Sequence, residues 1–272
     1  MCELFAMSSL MPTTVDISLE KLARHGGFEG PHRDGWGIAY YQGRDALLLR
    51  EASAASESLL VHHVERYGPP SELVISHIRL ATVGARKLAN TQPFTRELGG
   101  RMHVFAHNGD LADIEHRPGF APRRFRPIGE TDSELAFCSL LHRLSDAWLA
   151  AAGRTVDLVR RMELVAIFAA ELREMGPANF LYSDGDVLFV HADRRIHPET
   201  KAQLPGLHLL SRNCRESVPD LAASGVMLKT CRQALTLVAS EPLTGENWQP
   251  LDPGELLIIA DGQITHRQRI GD

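Results

Sequence analysis

Cys2 follows directly on the initiator Met1, so removal of one residue would place a thiol and a free α-amine on the same N-terminal residue. A cysteine thiol titrates near pH ~8.5 and an α-amine near ~8, which leaves a useful fraction of the amine unprotonated at neutral pH. Such an amine can take the thiol proton and later deliver it to a leaving amine, which is the chemistry of N-terminal nucleophiles acting on amides. The run Cys2-Glu3-Leu4-Phe5-Ala6-Met7 also reads as a short apolar strand in which Cys2 is simply a small core residue.

Three further polar groupings stand where strands or helices end, the usual place for a site. Ser76-His77-Ile78-Arg79 closes an apolar run with an arginine, whose planar fork of donors suits the α-carboxylate of an amino acid and equally suits a strand-end salt bridge. His107-Asn108-Gly109-Asp110 offers a side-chain amide followed by a glycine N–H, two donors that can face a developing oxyanion. The same Asn-Gly pair is a type I′ hairpin signal. Thr131-Asp132-Ser133-Glu134 has capping-box spacing between Thr131 and Glu134. Asp132 is not needed for that box; its carboxylate either receives a substrate ammonium or complements the helix dipole.

The elements that must position these groups follow from the apolar pattern. Strands are expected at 2–8, within Asp34–Tyr41, at Asp45–Arg50, Leu73–Ile78 and Arg101–His107, with helices at Ser18–Arg24 and Glu57–Arg66. Leu135, Ala136, Cys138, Leu141 and Leu144 share one helical face over Asp132–Ser145, and a second helix is expected over Val156–Met175. From Asn179 onward short apolar segments at 180–182, 187–190, 207–210, 235–239, 255–259 and 263–266 read mostly as strands. Strands, then two helices, then strands, with no linker and no repeat, imply an α+β layered fold in a single domain, 1–272.

Composition narrows the partners. A chain of 272 residues with 44% hydrophobic and 23% charged residues has the makeup of an ordinary globular protein with a sizeable core. A net charge of -5 and a pI near 6.2 give no general attraction to nucleic acid or an anionic membrane, and Arg123-Arg124-Phe125-Arg126 reads as a solvated loop. Cys2, Cys138, Cys214 and Cys231 have neither disulfide-scaffold density nor metal spacing, and Cys214 and Cys231 read as buried thiols. No run of apolar residues is long enough to span a membrane. The expected compartment is cytoplasmic. The thirteen histidines are scattered, so no metal site is expected.

In this order, the groupings resemble the class II glutamine amidotransferases, which are N-terminal nucleophile hydrolases, and within them the stand-alone YafJ-like members. The resemblance rests on Met1-Cys2-Glu3-Leu4, Gly30-Pro31-His32-Arg33-Asp34-Gly35-Trp36-Gly37, His77-Ile78-Arg79, Asn90-Thr91-Gln92-Pro93-Phe94-Thr95-Arg96-Glu97, His107-Asn108-Gly109 and Gly129-Glu130-Thr131-Asp132-Ser133-Glu134. It covers the first half by motif and the second half mainly by strand pattern. What it implies is a four-layer αββα sandwich with two antiparallel sheets between helical layers. It also implies Cys2 as nucleophile with its own amine as base, Asn108 and Gly109 as oxyanion hole, Arg79 and Asp132 on the glutamine α-carboxylate and α-ammonium, and Thr82 as a further substrate contact. No cofactor is implied. The chain departs from larger synthases at Val83 and from many relatives at Gln92, where each carries a histidine.

The expected substrate is therefore glutamine or a γ-glutamyl amide, with the ammonia going to a partner synthase subunit. Two alternatives stand beside this: a γ-glutamyl hydrolase similar to the stand-alone enzyme of ergothioneine biosynthesis, and a non-catalytic amino-acid-binding protein or complex subunit. In the second half, Phe180, Tyr182 and Ser211-Arg212-Asn213-Cys214 are candidates for a lid or a partner contact.

Overall fold

The computed structural model describes residues 2–17, 34–79, 84–196, 200–213, 226–228 and 233–271. The chain enters through β1 (Glu3–Thr13), β2 (Val15–Ile17), β3 (Trp36–Gln42) and β4 (Asp45–Glu51), then α1 (Leu59–Tyr67), β5 (Ser71–Ile78), β6 (Phe94–Leu98) and β7 (Arg101–Gly109). Two long helices follow, α2 (Asp132–Ala150) and α3 (Leu158–Met175). The second half consists of β8 (Ala178–Ser183), β9 (Leu188–His191), β10 (Arg194–Ile196), β11 (Gln203–Pro205), β12 (His208–Asn213), β13 (Val226–Leu228), β14 (Ala234–Ala239), β15 (Gln249–Pro250), β16 (Glu255–Ala260) and β17 (Gln263–Arg269).

Two antiparallel sheets carry the fold. The first has the order β15-β12-β14-β1-β5-β3-β4 and the second β17-β16-β9-β8-β7-β6. Strand alternation explains how they stack, because successive side chains point to opposite faces. Leu4 and Ala6 of β1 meet Val104, Ala106, Leu181, Leu188, Val190, Leu257 and Ile259 of the second sheet, forming the layer between sheets. Phe5 and Met7 face the other way, onto Val61 and Val64 of α1. On the far side, Phe105, Phe180 and Phe189 of the second sheet pack against Phe137, Leu141, Phe168 and Leu172 of α2 and α3. The layers thus run helix, sheet, sheet, helix, the expected αββα sandwich.

Several expectations are corrected. Asn108-Gly109 is not a hairpin turn: both residues belong to β7, where Asn108 pairs with Asn179 and Gly109 with Ala178. A Cβ on Gly109 would lie 1.8 Å from the Pro177 carbonyl oxygen, so the glycine answers a close backbone approach and the tertiary pairing overrides local turn preference. Phe180 and Tyr182 cannot form a lid, since both are fully buried in the helix–sheet core. Helix α2 runs past Ser145 to Ala150 because Trp148, in its last turn, is buried. The capping box at Thr131 is half made. Thr131 Oγ1 accepts from Glu134 N at 3.2 Å, but the Glu134 carboxylate turns to Gly129 N at 2.7 Å and Arg96 at 2.6 Å. The expected helix at Ser18–Arg24, and Thr82, Cys214 and Cys231, lie outside the described residues.

Candidate active site

Strand β1 lies inside the first sheet between β5 and β14, so its first residues are held from both sides. Leu4 N donates to Ser240 Oγ at 3.0 Å, and Ser240 N donates to the Leu4 carbonyl at 3.0 Å. Between Leu4 and the half-buried Cys2, Glu3 is itself buried and pairs with Arg195 at 2.8 Å. Burial pushes the Glu3 carboxyl up to about 7, against the lowering pull of the Arg195 guanidinium.

The second sheet meets Cys2 directly. Asn108, at the end of β7, donates from Nδ2 to the Cys2 carbonyl at 2.5 Å, joining positions 106 residues apart. The amide group carries two N–H donors, and one suffices for that carbonyl. Gln92 fixes the main chain just before Asn108: its Oε1 accepts from His107 N at 2.6 Å and its Nε2 donates to His107 O at 3.1 Å. Gln92 therefore clamps the strand from both its amide atoms.

Behind β7 runs a polar chain toward the start of α2. Ser133 Oγ donates to Asp132 Oδ1 at 3.2 Å and lies 2.9 Å from His107 Nδ1, so the hydroxyl links the imidazole to the carboxylate. Burial lowers the His107 pKa, opposed by the Asp132 carboxylate, so the ring is neutral. Asp132 Oδ2 accepts from Leu111 N at 2.9 Å, which aims the carboxylate across the helix entrance. It lines a cleft of about 390 Å³ with Asp110, Leu111, Ile114, Glu130 and Leu135.

Arg79 follows directly on β5 and is buried. Its guanidinium donates to the carbonyls of Gly84 at 3.0 Å and Ala85 at 3.2 Å. The Ala85 carbonyl also accepts from Asn90 Nδ2 at 2.9 Å, while Asn90 Oδ1 accepts from Glu130 N at 2.8 Å. Asn90 thereby couples the loop under Arg79 to the residues that open α2. Gly129 is required at that junction, because a Cβ there would meet Asn90 Oδ1 at 2.2 Å. Among the described residues no group of three or more His, Cys, Asp or Glu side chains is placed to hold a metal ion.

A family model of the class II glutamine amidotransferases matches residues 1–270. The chain belongs to the class II glutamine amidotransferases. YafJ of Escherichia coli (strain K12), which carries a provisional glutamine amidotransferase name, is 36% identical over 264 residues, 97% of this chain and 99% of YafJ. A crystal structure of a predicted glutamine amidotransferase from Pseudomonas aeruginosa superposes with a TM-score of 0.70 at 36% identity, covering 97% of this chain and 100% of that one. The glutamine phosphoribosylpyrophosphate amidotransferase of Bacillus subtilis, 18% identical with a TM-score of 0.61, is matched over 98% of this chain and 49% of its own. At that identity the likeness speaks for the fold alone.

Within this family frame, the structure brings Cys2 and Asn108 into contact, with Gly109 following Asn108 at the end of β7. Asp132 reaches the same strand through Ser133 and His107, and Arg79 reaches the Asp132 segment through Ala85 and Asn90. Four supporting residues were not singled out from sequence for a role in the site: Gln92, His107, Asn90 and Arg195. A Gln-Pro pair in an Asn-Thr-Gln-Pro-Phe run is visible as a motif, but nothing local says that its amide grips a backbone fifteen residues away.

Proposed function

We propose that this chain hydrolyses the side-chain amide of glutamine or of a γ-glutamyl compound, with Cys2 as nucleophile once Met1 is removed. The Cys2 amine takes the thiol proton and Sγ attacks the amide carbon. Asn108 Nδ2 and Gly109 N–H receive the negative charge that forms on oxygen. Collapse expels ammonia or an amine, which leaves with the proton held by the Cys2 amine, and a γ-glutamyl thioester remains. Water then opens the thioester to give glutamate and return the thiol. Arg79 serves the α-carboxylate and Asp132 the α-ammonium. All of these steps use protein groups and water. The released ammonia passes to an acceptor subunit when the substrate is glutamine.

The observation that carries this reading is the 2.5 Å hydrogen bond from Asn108 to the Cys2 carbonyl. It joins the residue that removal of Met1 would expose to the end of β7, where an amide side chain adjoins a glycine N–H. Glutamate release from glutamine and from a panel of γ-glutamyl amides, measured for the purified chain and for Cys2→Ala, tests it. Turnover of at least one substrate that disappears in Cys2→Ala is expected. Equal turnover in both proteins would overturn the reading.

A further inference from the structure

The second half of the chain supplies no residue to the chemistry just proposed, yet two of its side chains grip Asn108 and Glu3, the neighbour of Cys2. Asn179 on β8 is buried and donates from Nδ2 to the Asn108 carbonyl at 3.3 Å and to the Arg194 carbonyl at 3.1 Å. Its Oδ1 accepts from Asp193 N at 2.7 Å. Two residues on, Arg195 is 5% exposed and donates to Glu3 Oε1 at 2.8 Å, the Ser240 carbonyl at 3.0 Å and Glu241 Oε1 at 3.3 Å. Residues 193–195 are thus fastened to β7 at one end, through Asn179, and to β1 at the other, through Glu3.

We infer that Asp193-Arg194-Arg195 is a bracket that sets the separation of Cys2 from Asn108, with Arg195 and Asn179 as its positioning residues. The bracket must work across the two sheets, since β1 and β7 belong to different ones and share no ladder. Its design suits the task. Arginine offers a rigid fork of donors, so one side chain fixes a carboxylate and a backbone carbonyl at a set spacing. Gly206 lets the chain close over Asn179: a Cβ there would fall 1.7 Å from Asn179 Oδ1. Neither side chain is assigned contact with the reacting atoms, so each acts on turnover through the placement of Cys2 and Asn108.

The inference rests on the proposed role of Cys2, and its test reads that role and the bracket separately. Arg195→Met and Arg195→Lys are compared with the parent protein for thermal melting, for kcat and KM on the amide substrate, and for the rate at which iodoacetamide alkylates Cys2, mapped by peptide mass. A displacement on the order of 1 Å costs up to about 100-fold in rate, so Arg195→Met should lose about 10- to 100-fold in kcat with KM changed less than about threefold. Its Cys2 alkylation rate should change at least about threefold, and Arg195→Lys should recover most of each loss. If Arg195→Met does not melt cooperatively, Arg195→Gln, whose single amide nitrogen on a shorter side chain cannot span Glu3 and the Ser240 carbonyl, takes its place with the same expectation at the lower end.

A folded Arg195→Met or Arg195→Gln protein with parental kcat, KM and alkylation rate would overturn the bracket. A parent that hydrolyses no amide while its Cys2 alkylation still responds to Arg195 would retain the bracket and refute the proposed function.

Discussion

On the proposed mechanism Asn108 and Asp132 do different things, and single substitutions should separate them. Asn108→Ala removes a donor aimed at developing charge, so kcat should fall by roughly 10²–10³ with KM little changed. Asp132→Asn keeps the acceptor for Leu111 N but loses the charge that faces an ammonium, so KM should rise while kcat falls less. Steady-state kinetics on the two variants checks both, and an Asn108→Ala enzyme altered only in KM would contradict the assignment. The roles proposed for these residues could be read from sequence because they rest on residue type and order: a thiol at position 2, an Asn-Gly pair, an acid that the helix cap did not need. Those of Gln92, Asn90 and Arg195 could not. Their work is done through contacts with main chain or with Glu3, in the case of Arg195 a partner 192 residues away, and no periodicity records such a contact.

Among the elements, β7 matters most, because Asn108 and Gly109 lie at its very end rather than in a turn beyond it. Gly109→Ala would drive a methyl group against the Pro177 carbonyl and spread β7 from β8. A loss of at least tenfold in kcat is expected, together with a melting temperature lowered by several degrees, since overpacking of this kind costs about 1–3 kcal/mol. Unchanged activity and Tm would show that the strands part without consequence. The strand and helix pattern was otherwise readable, as both faces of each central strand are apolar and both long helices keep their spacing. What escaped was short or set by partners: β2, β10, β11, β13 and β15 have only two or three residues, too few to show alternation, β6 carries three polar residues in a row, and Asn-Gly carried a turn preference that pairing with Asn179 and Ala178 overrode.

The four-layer sandwich buries its polar machinery as well as its core, which gives the whole molecule a pH dependence of definite sign. Burial lowers His103 and His191 to about 4 from 6.5, and lowers His107 as well. Between those pH values the folded chain binds fewer protons at these rings than the unfolded chain does. Their contribution is therefore complete above pH 6.5 and is lost as pH falls toward 4. Glu3 acts in the opposite sense. Raised to about 7 from 4.5, it binds more protons when folded, so its contribution grows as pH falls through that window. The shifts of His103, His191 and Glu3 are each worth on the order of 3 kcal/mol at most, and two histidines, with His107 lowered in the same direction, outweigh one carboxyl. Urea unfolding should show a midpoint that drops from pH 6.5 to pH 4.5. A midpoint that holds or rises would mean that Glu3 dominates.

The central claim is that Cys2, freed of Met1, is a nucleophile in a site that recognises glutamine. Intact mass of the purified protein, before and after incubation with the glutamine-analogue electrophile diazo-oxo-norleucine, tests it most directly. The account predicts a mass lacking Met1 and a single adduct that maps to Cys2. A protein that keeps Met1 and takes no adduct, or one labelled at another residue, would contradict it.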